Sequence, residues 1–488
     1  MTDHAPRLDR SMSLAELADF VADLGEADVG SAGLGTADLY VLGPDPALVP
    51  CAAKVREQLE PFGMRIVPVP VAERGPTVRL VATHRPGPPA LWTEDEIDDL
   101  IGDIRAERLR HWAQCAAEAP RLRTLHRPGS DSIGVVEFDC AAGRFVAKVG
   151  PEDVMLAEQE HVRRAYENGA AIFPVPRGYD ARGGLATRIM DAVEGAGLVE
   201  RIFRRGPDGL LRAAPSELHA VDEHLGVLAT WYADSLDEGE PEVARYLYVD
   251  RFVTLPSSKA CQRVADPVLG AATYSAALDI AVTLPDGSRT SYRELVSWLA
   301  ETYPEWRPTR SSAVHGDIFT SNLMRGAEGE PRFIDPRSAW DGAVDSPAGR
   351  GDPFFDLGTL LHAISPMVTI LDACDRGAES ALLPLEALSD GHIDAAAAVT
   401  VLDAAARTAY LDRVADLTRD WADDGSVVRL HVASACSLLG WLKYDKTVRT
   451  PSVWWAVFLA VIADLARARR VHEGFDPIFS HDSTRGAS

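Results

Sequence analysis

The sequence predicts an α+β protein: a small, mainly β segment followed by a larger helical one, with an extra α/β unit ahead of both. Three observations predict it. Residues 115–190 carry short β-branched and aromatic runs around one helix-forming stretch. From about Ile393 onward the chain reads as three helices, the last with an apolar run from Val453 to Ala463. Residues 1–114 hold three apolar runs separated by a helical pattern and closed by the break Arg85-Pro86-Gly87-Pro88-Pro89.

In chain order, Ala37–Leu42, Met64–Val69 and Thr77–Thr83 read as strands, with a helix from about Pro46 to Pro61 between the first two. Glu94–Glu118 reads as a connecting helix. This first unit carries no phosphate loop, cysteine cluster or catalytic set, so it is expected to be a structural cap or a dimerisation module, the latter giving a homodimer. Next, Arg127–Phe138 reads as a small-residue loop, including Ser130 and Ser132, running into a strand. Gly143–Val149 is its hairpin partner, with Lys148 inside the run Phe-Val-Ala-Lys-Val. Met155–Gly169 has helix-forming composition and ends at a glycine suited to a helix C-terminus. Leu185–Asp191 is another apolar strand. Ser216–Asp234 reads as a helix with Leu218, Val221, Leu225, Leu228 and Ala229 on one face, and its His219 and His224 as solvated or structural. Residues 191–474 complete the helical part, and 475–488 form a tail.

The segment Ala313–Phe355 carries the chemistry. His315-Gly316-Asp317 is followed by Asn322, five residues after the aspartate, and by Ile334-Asp335 thirteen residues further on. Ala313-Val314 reads as the end of a short strand, and His315 to Asn322 as the loop after it. Leu323-Met324 and Arg332-Phe333-Ile334 read as two strands joined by a turn rich in Gly and Glu. Such a hairpin brings Asn322 and Asp335 to the same end of two paired strands, facing one ion, while Asp317 on the loop reaches an acceptor hydroxyl. An isolated Asp or Asn at these positions would only cap a turn. Together they are the set needed to move a phosphoryl group from a nucleotide to a hydroxyl: one carboxylate orients the attacking oxygen, and an amide oxygen with a second carboxylate holds magnesium over the phosphates.

The pattern HGD-x4-N followed by a strand ending in Ile-Asp resembles the catalytic core of the aminoglycoside phosphotransferase and choline kinase-like family, which has the two-lobed protein-kinase-like fold. The continuation Ile334-Asp335-Pro336-Arg337, then Gly351-Asp352-Pro353-Phe354-Phe355-Asp356-Leu357, is similar to a branch found among capsule and sugar-phosphate biosynthesis proteins. The resemblance implies that Asp317 is the catalytic base, Asn322 and Asp335 are the magnesium ligands, and His315 holds the loop. Asp356 is expected to cap a helix or anchor a loop. Upstream, the resemblance implies a phosphate-covering loop around Ser130 and Ser132, and a phosphate-binding lysine at Lys148. It places that lysine's partner at Glu158, eleven residues before Gly169, with Glu160 in reserve. Leu185–Asp191 becomes the linker, whose backbone at Met190 and Asp191 faces the nucleotide base. Arg337 beside the metal site is expected to form a structural salt bridge, with contact to an anionic acceptor as the other role.

Composition narrows the rest. A net charge of −24, from 73 acidic against 49 basic residues, opposes binding to nucleic acid or an anionic membrane. The eleven-residue apolar run from Val453 to Ala463 is too short to cross a bilayer. The N-terminus lacks the pattern of a signal peptide. Six scattered cysteines, at 51, 115, 140, 261, 374 and 436, suit a reducing cytoplasm and argue against a structural metal. The expectation is a cytoplasmic small-molecule kinase. It would use ATP or GTP with magnesium to phosphorylate a hydroxyl of a sugar, aminocyclitol or glycosylated metabolite. The rivals are a protein kinase, a catalytically silent nucleotide-binding scaffold, and another transferase on the same fold, for example one moving a nucleotidyl group.

Overall fold

A computed structural model describes residues 8–13, 38–43, 65–70, 77–83, 121–126, 132, 134–140, 143–182, 185–193, 195, 197–284, 287–337, 339–340, 344–345, 349–383, 388–389, 392–394, 403–445 and 447–475. The expected helices Pro46–Pro61 and Glu94–Glu118, and Ser130 of the expected phosphate loop, lie outside the described residues. The chain divides into two compact units, Met1–Glu160 with Pro174–Ala192, and His161–Phe173 with Val193–Ser488.

Among the described residues the first unit contains two sheets. In one, β1 (Leu8–Ser13), β2 (Asp38–Gly43), β3 (Arg65–Pro70) and β4 (Thr77–Thr83) lie in the order β1-β4-β2-β3, with β2 and β3 parallel. Three of these strands coincide with the expected ones. The fourth, β1, has the sequence Leu-Asp-Arg-Ser-Met-Ser and sits at the sheet edge, antiparallel to β4. A sequence this polar carries no apolar run, so apolar periodicity does not find the strand. The second sheet is antiparallel throughout and is ordered β5-β6-β7-β9-β8. Its strands are β5 (Arg121–His126), β6 (Gly134–Cys140), β7 (Gly143–Pro151), β8 (Pro176–Arg182) and β9 (Leu185–Asp191). Phe138, Phe145 and Ile189 form its buried core. Helix α1 (Glu152–Glu167) follows β7 and stops at Gly169, whose φ of 81° is readily adopted only without a Cβ.

The second unit is mainly helical. The expected helix Ser216–Asp234 begins instead as a 3-10 turn, Pro215–Val221, and continues as α2 (Asp222–Asp234). Leu218, Val221, Leu225 and Leu228 are all buried, as their spacing predicts. Helix α3 (Tyr292–Trp306) opens with a capping box in which Ser291 and Glu294 satisfy each other's backbone N–H groups. Helix α4 (Pro353–His362) is capped by Asp352, whose carboxylate accepts from Phe354 N–H. Helices α5 (Ala404–Thr418), α6 (Ser426–Trp441) and α7 (Pro451–His472) follow, with α6 packed on both α4 and α7. The helical reading from Ile393 is corrected at its start. His392–Asp394 is a strand, with Ile393 paired in parallel to Val282; residues 395–402 lie outside the described residues, and a helix capped by Asp403 runs over Ala404–Thr418. This three-residue strand depends on a partner far away in sequence, which apolar periodicity does not show.

Two spans, Pro353–Asp375 and Pro451–His472, are long and apolar enough to cross a membrane by composition, but 94% and 83% of their apolar windows are buried inside the protein. Their apolar length is used as core. Trp454 and Phe458 of α7 stack with ring centroids 4.7 Å apart, and Tyr292 of α3 packs on the same Phe458 at 5.4 Å. Burial of such side chains contributes about 1.5–3 kcal/mol each. Within this apolar interior Arg429 is held by Asp352 at 2.7 Å and by both oxygens of Asp423 at 2.8 and 3.0 Å, and Tyr248 donates to Asp352 at 2.7 Å. A charge this enclosed persists only with its hydrogen bonds filled. Among the described cysteines, Cys261, Cys374 and Cys436 are free thiols.

Candidate active site

The motif segment sits in the second unit. Strand β10 (Arg310–Ala313) leads through buried Val314 into the loop. Gly316 turns the chain at φ 83°, between His315 and Asp317. Strands β11 (Leu323–Arg325) and β12 (Pro331–Phe333) then form the expected hairpin, with Leu323 opposite Phe333. Ile334 N–H donates to Asn322 O at 3.0 Å, so the pairing continues to the residue before Asp335. The sequence therefore brings Asn322 and Asp335 to one end of the hairpin. Asn322 Nδ2 donates to the backbone oxygen of Asp317 at 2.9 Å. That bond fixes the amide and turns its oxygen, the end expected to bind metal, the other way. Gly195 lies against this hairpin, where a Cβ would meet Arg325 O at 2.1 Å, so only glycine fits.

The loop is anchored from within the protein. Fully buried Asp356 accepts from His315 N–H at 2.6 Å, Gly316 N–H at 2.7 Å and the Tyr232 hydroxyl at 2.9 Å. Of the two expected roles it takes loop anchor, while the helix cap falls to Asp352. Burial pushes the Asp356 carboxyl up to about 7 against the pull of these three donors. His315 Nδ1 accepts from Asp317 N–H at 3.2 Å, and this assigns the ring proton to Nε2, which donates to Ile334 O at 2.9 Å. Burial brings His315 down to about 4, so the ring is neutral and ties the Asp317 loop to the Asp335 strand. Its expected structural role matches this geometry.

Asp335 is exposed and has φ 61°, the left-handed region, alone among the described non-glycine residues. Such a conformation costs about 1–2 kcal/mol and persists only where the surroundings impose it. Two residues on, Arg337 N–H donates to His315 O at 2.7 Å. The Arg337 guanidinium lies 3.5 Å from Asp317 Oδ2, so the expected salt bridge forms with the candidate base itself. The site's own donors fit magnesium: one amide oxygen and one exposed carboxylate, both hard ligands, share one hairpin end, with phosphates and waters left to complete an octahedron.

In the first unit Lys148 and Arg188 are directly opposed on β7 and β9. Both reach the same carboxylate: Lys148 Nζ donates to Glu158 Oε1 at 2.6 Å, and Arg188 donates to Glu158 Oε2. All three are buried, at 8%, 4% and 3% exposure for Lys148, Glu158 and Arg188. Glu158, not the reserve Glu160, is thus the residue seen holding Lys148. Ser132 is buried. At the end of β9, Asp191 is bound by Arg177 at 2.6 and 2.7 Å, and its N–H donates to Val175 O at 3.0 Å. Met190 is paired on both sides, with Val146 and Pro176. The backbone N–H of Asp191 is therefore engaged within the sheet.

Sequence reasoning missed an aromatic group that includes Phe319, two residues after Asp317. Half-buried Phe319, whose N–H donates to Asp317 O at 2.9 Å, lies 6.1 Å from the Trp441 ring, and Trp441 lies 5.6 Å from Tyr444. Trp441 Nε1 donates to His362 Nε2 at 3.3 Å, while His362 Nδ1 donates to Thr359 O, so the indole is held in one orientation. Burial drives His362 down to about 3. Between pH 6.5 and about 3 the unfolded chain binds a proton here that the folded chain refuses, so stability falls as pH falls through that window. Asp356 acts in the opposite sense between 3.8 and about 7. A melting-temperature series from pH 6.5 to 4.5 should therefore show a shallower acid loss for His362→Gln than for the unsubstituted protein. Equal slopes would remove His362 from the acid response.

No protein-family model matches the chain, and no curated protein matches it. Among solved structures it is similar to an ethanolamine kinase of Plasmodium vivax, at 10% identity and TM-score 0.45, over 78% of this chain and 91% of that one. It is similar also to choline kinase from Cryptosporidium parvum, at 10% identity and TM-score 0.40, over 78% and 99%. A third is a thermostable mutant of aminoglycoside phosphotransferase APH(4)-Ia, at 14% identity and TM-score 0.37, over 73% and 96%. At such identities and scores the reading of the site rests on its own geometry.

Proposed function

We propose that the chain is a small-molecule kinase that transfers the γ-phosphoryl group of ATP or GTP to a hydroxyl group. The observation that supports it most strongly is the closed set around Asp317. Asn322 bonds the backbone of Asp317, Ile334 bonds the backbone of Asn322, and Asp335 follows at a strained turn. In this reading Asp317 orients the acceptor hydroxyl and takes its proton. Lys148, held by Glu158, contacts the nucleotide phosphates, and backbone and hydroxyl groups around Ser132 lie in the phosphate loop. Asn322 and Asp335 hold magnesium, which when bound neutralises phosphate charge. The protein contributes positioning and fixed charge, which dominate phosphoryl transfer.

The acceptor in this reading is a sugar, aminocyclitol or glycosylated metabolite. Phe319, Trp441 and Tyr444 support a ring-bearing acceptor, because an aromatic face covers the apolar face of a sugar ring. The N-terminal four-stranded sheet is read as a cap or dimerisation module. The test is release of nucleoside diphosphate from magnesium–ATP and magnesium–GTP across sugars, aminocyclitols and aminoglycosides. Release should depend on one acceptor class. In the same assay Asp335→Ala should weaken magnesium–nucleotide binding by about tenfold or more, the scale of one lost charged contact. Unchanged binding would take Asp335 out of the metal site.

A further inference from the structure

We propose that Arg337 is a catalytic residue that contacts the transferred phosphoryl group, and that its ion pair with Asp317 is the position it holds before the nucleotide arrives. The inference rests on the kinase reading above and adds a cation to it.

Placement comes first. Arg337 Nη2 lies 3.5 Å from Asp317 Oδ2. A hydroxyl oriented by that carboxylate lies within about 2.6–3.2 Å of it, so the attacking oxygen and the phosphorus it approaches fall within reach of the same guanidinium. The backbone at Arg337 is tied to the loop by its N–H bond to His315 O at 2.7 Å, and the chain arrives there through the left-handed turn at Asp335. Only the side chain has to move. One local geometry therefore carries the candidate metal ligand and, two residues later, the cation.

The looseness of the pair is the second argument. The enclosed arginine–carboxylate pair of this unit at Arg429 and Asp352 is short, at 2.7 Å with both side chains 3% exposed. Arg337 and Asp317 stand at 3.5 Å, with side chains 24% and 31% exposed. A pair of that kind contributes little to stability and separates at little cost. Charge is the third. Asp317 and Asp335 are both acidic, and the incoming phosphates add negative charge. A planar guanidinium presents paired donors that match phosphate oxygens and keeps its charge at any working pH. In the step itself the acceptor oxygen forms a bond to the γ-phosphorus, and its proton passes to Asp317. The bond from that phosphorus to the bridging oxygen breaks, with the electron pair leaving on the nucleoside diphosphate. Arg337 donates to the equatorial oxygens as this charge spreads.

The test compares full-length Arg337→Ala, Arg337→Lys and unsubstituted protein by steady-state kinetics, nucleotide binding and thermal melting. Arg337→Ala should lose roughly 10²–10³-fold in kcat, the scale of one lost transition-state donor, with nucleotide affinity and melting temperature nearly unchanged. Arg337→Lys should recover part of the loss, and added methylguanidinium should partly restore Arg337→Ala. A kcat within a few-fold of the parent would overturn the proposal. So would a loss that follows melting temperature or nucleotide affinity and resists methylguanidinium. Transfer by the unsubstituted protein separates the two ideas: without it the kinase reading and this inference fall together, and with it only this inference is at stake.

Discussion

Asp317→Asn should bind magnesium–nucleotide almost as the unsubstituted protein does and lose turnover by roughly 10²–10⁴-fold, the usual contribution of a positioned general base. The amide keeps the size of the side chain, and the backbone contacts that place it do not use the carboxylate. His315 Nδ1 accepts from Asp317 N–H, and Asn322 Nδ2 donates to Asp317 O. The substitution therefore removes the proton acceptor and the partner of Arg337 while leaving the loop in place. Steady-state kinetics beside nucleotide titration would check it. Unchanged turnover would sink the assignment of Asp317, and a parallel loss of nucleotide binding would make it a structural residue.

The second large effect is expected at Glu158. Its two oxygens hold Lys148 and Arg188, all three side chains being buried. Glu158→Gln leaves two enclosed cations on a neutral amide, and breaking a buried pair this way costs about 3–5 kcal/mol. Lys148 also loses its fixed position, and a displacement of about 1 Å at a reacting group can cost 10²-fold in rate. The variant should melt at a lower temperature and show a raised KM for nucleotide with a reduced kcat. Measured well below its own melting temperature, unimpaired nucleotide use would show that the pair serves stability alone. Glu160→Gln is the comparison, expected to leave nucleotide use near that of the parent.

Much of the site is legible in the sequence because it is local. Asp317, Asn322 and Asp335 fall within one loop and one hairpin, and the apolar alternation on each side of a Gly- and Glu-rich turn sets the register that joins them. What stays hidden depends on pairing across distance. Arg188 meets Glu158 only because β7 and β9 are neighbours and place it opposite Lys148. A charged residue inside the apolar strand Leu-Ala-Thr-Arg-Ile-Met was the available signal, since an enclosed arginine needs a partner. Asp356 reaches back 41 and 40 positions to the N–H groups of His315 and Gly316, and nothing in its own helix announces this. Trp441 comes to Phe319 from the end of α6, far along the chain. The strand at His392–Asp394 and the edge strand β1 escaped for the same reason: their partners, rather than their own residues, make them strands.

In the proposed function the chain moves a phosphoryl group, intact, from a nucleotide to a hydroxyl. The most direct measurement is identification of both products, by mass and by phosphorus NMR, after incubation with magnesium–nucleotide and the ring-bearing acceptors. Equal amounts of nucleoside diphosphate and a phosphate monoester of one acceptor are expected, both lost in Asp317→Asn. Pyrophosphate with a nucleotidylated acceptor would contradict it, and so would nucleotide binding that leaves every acceptor unchanged.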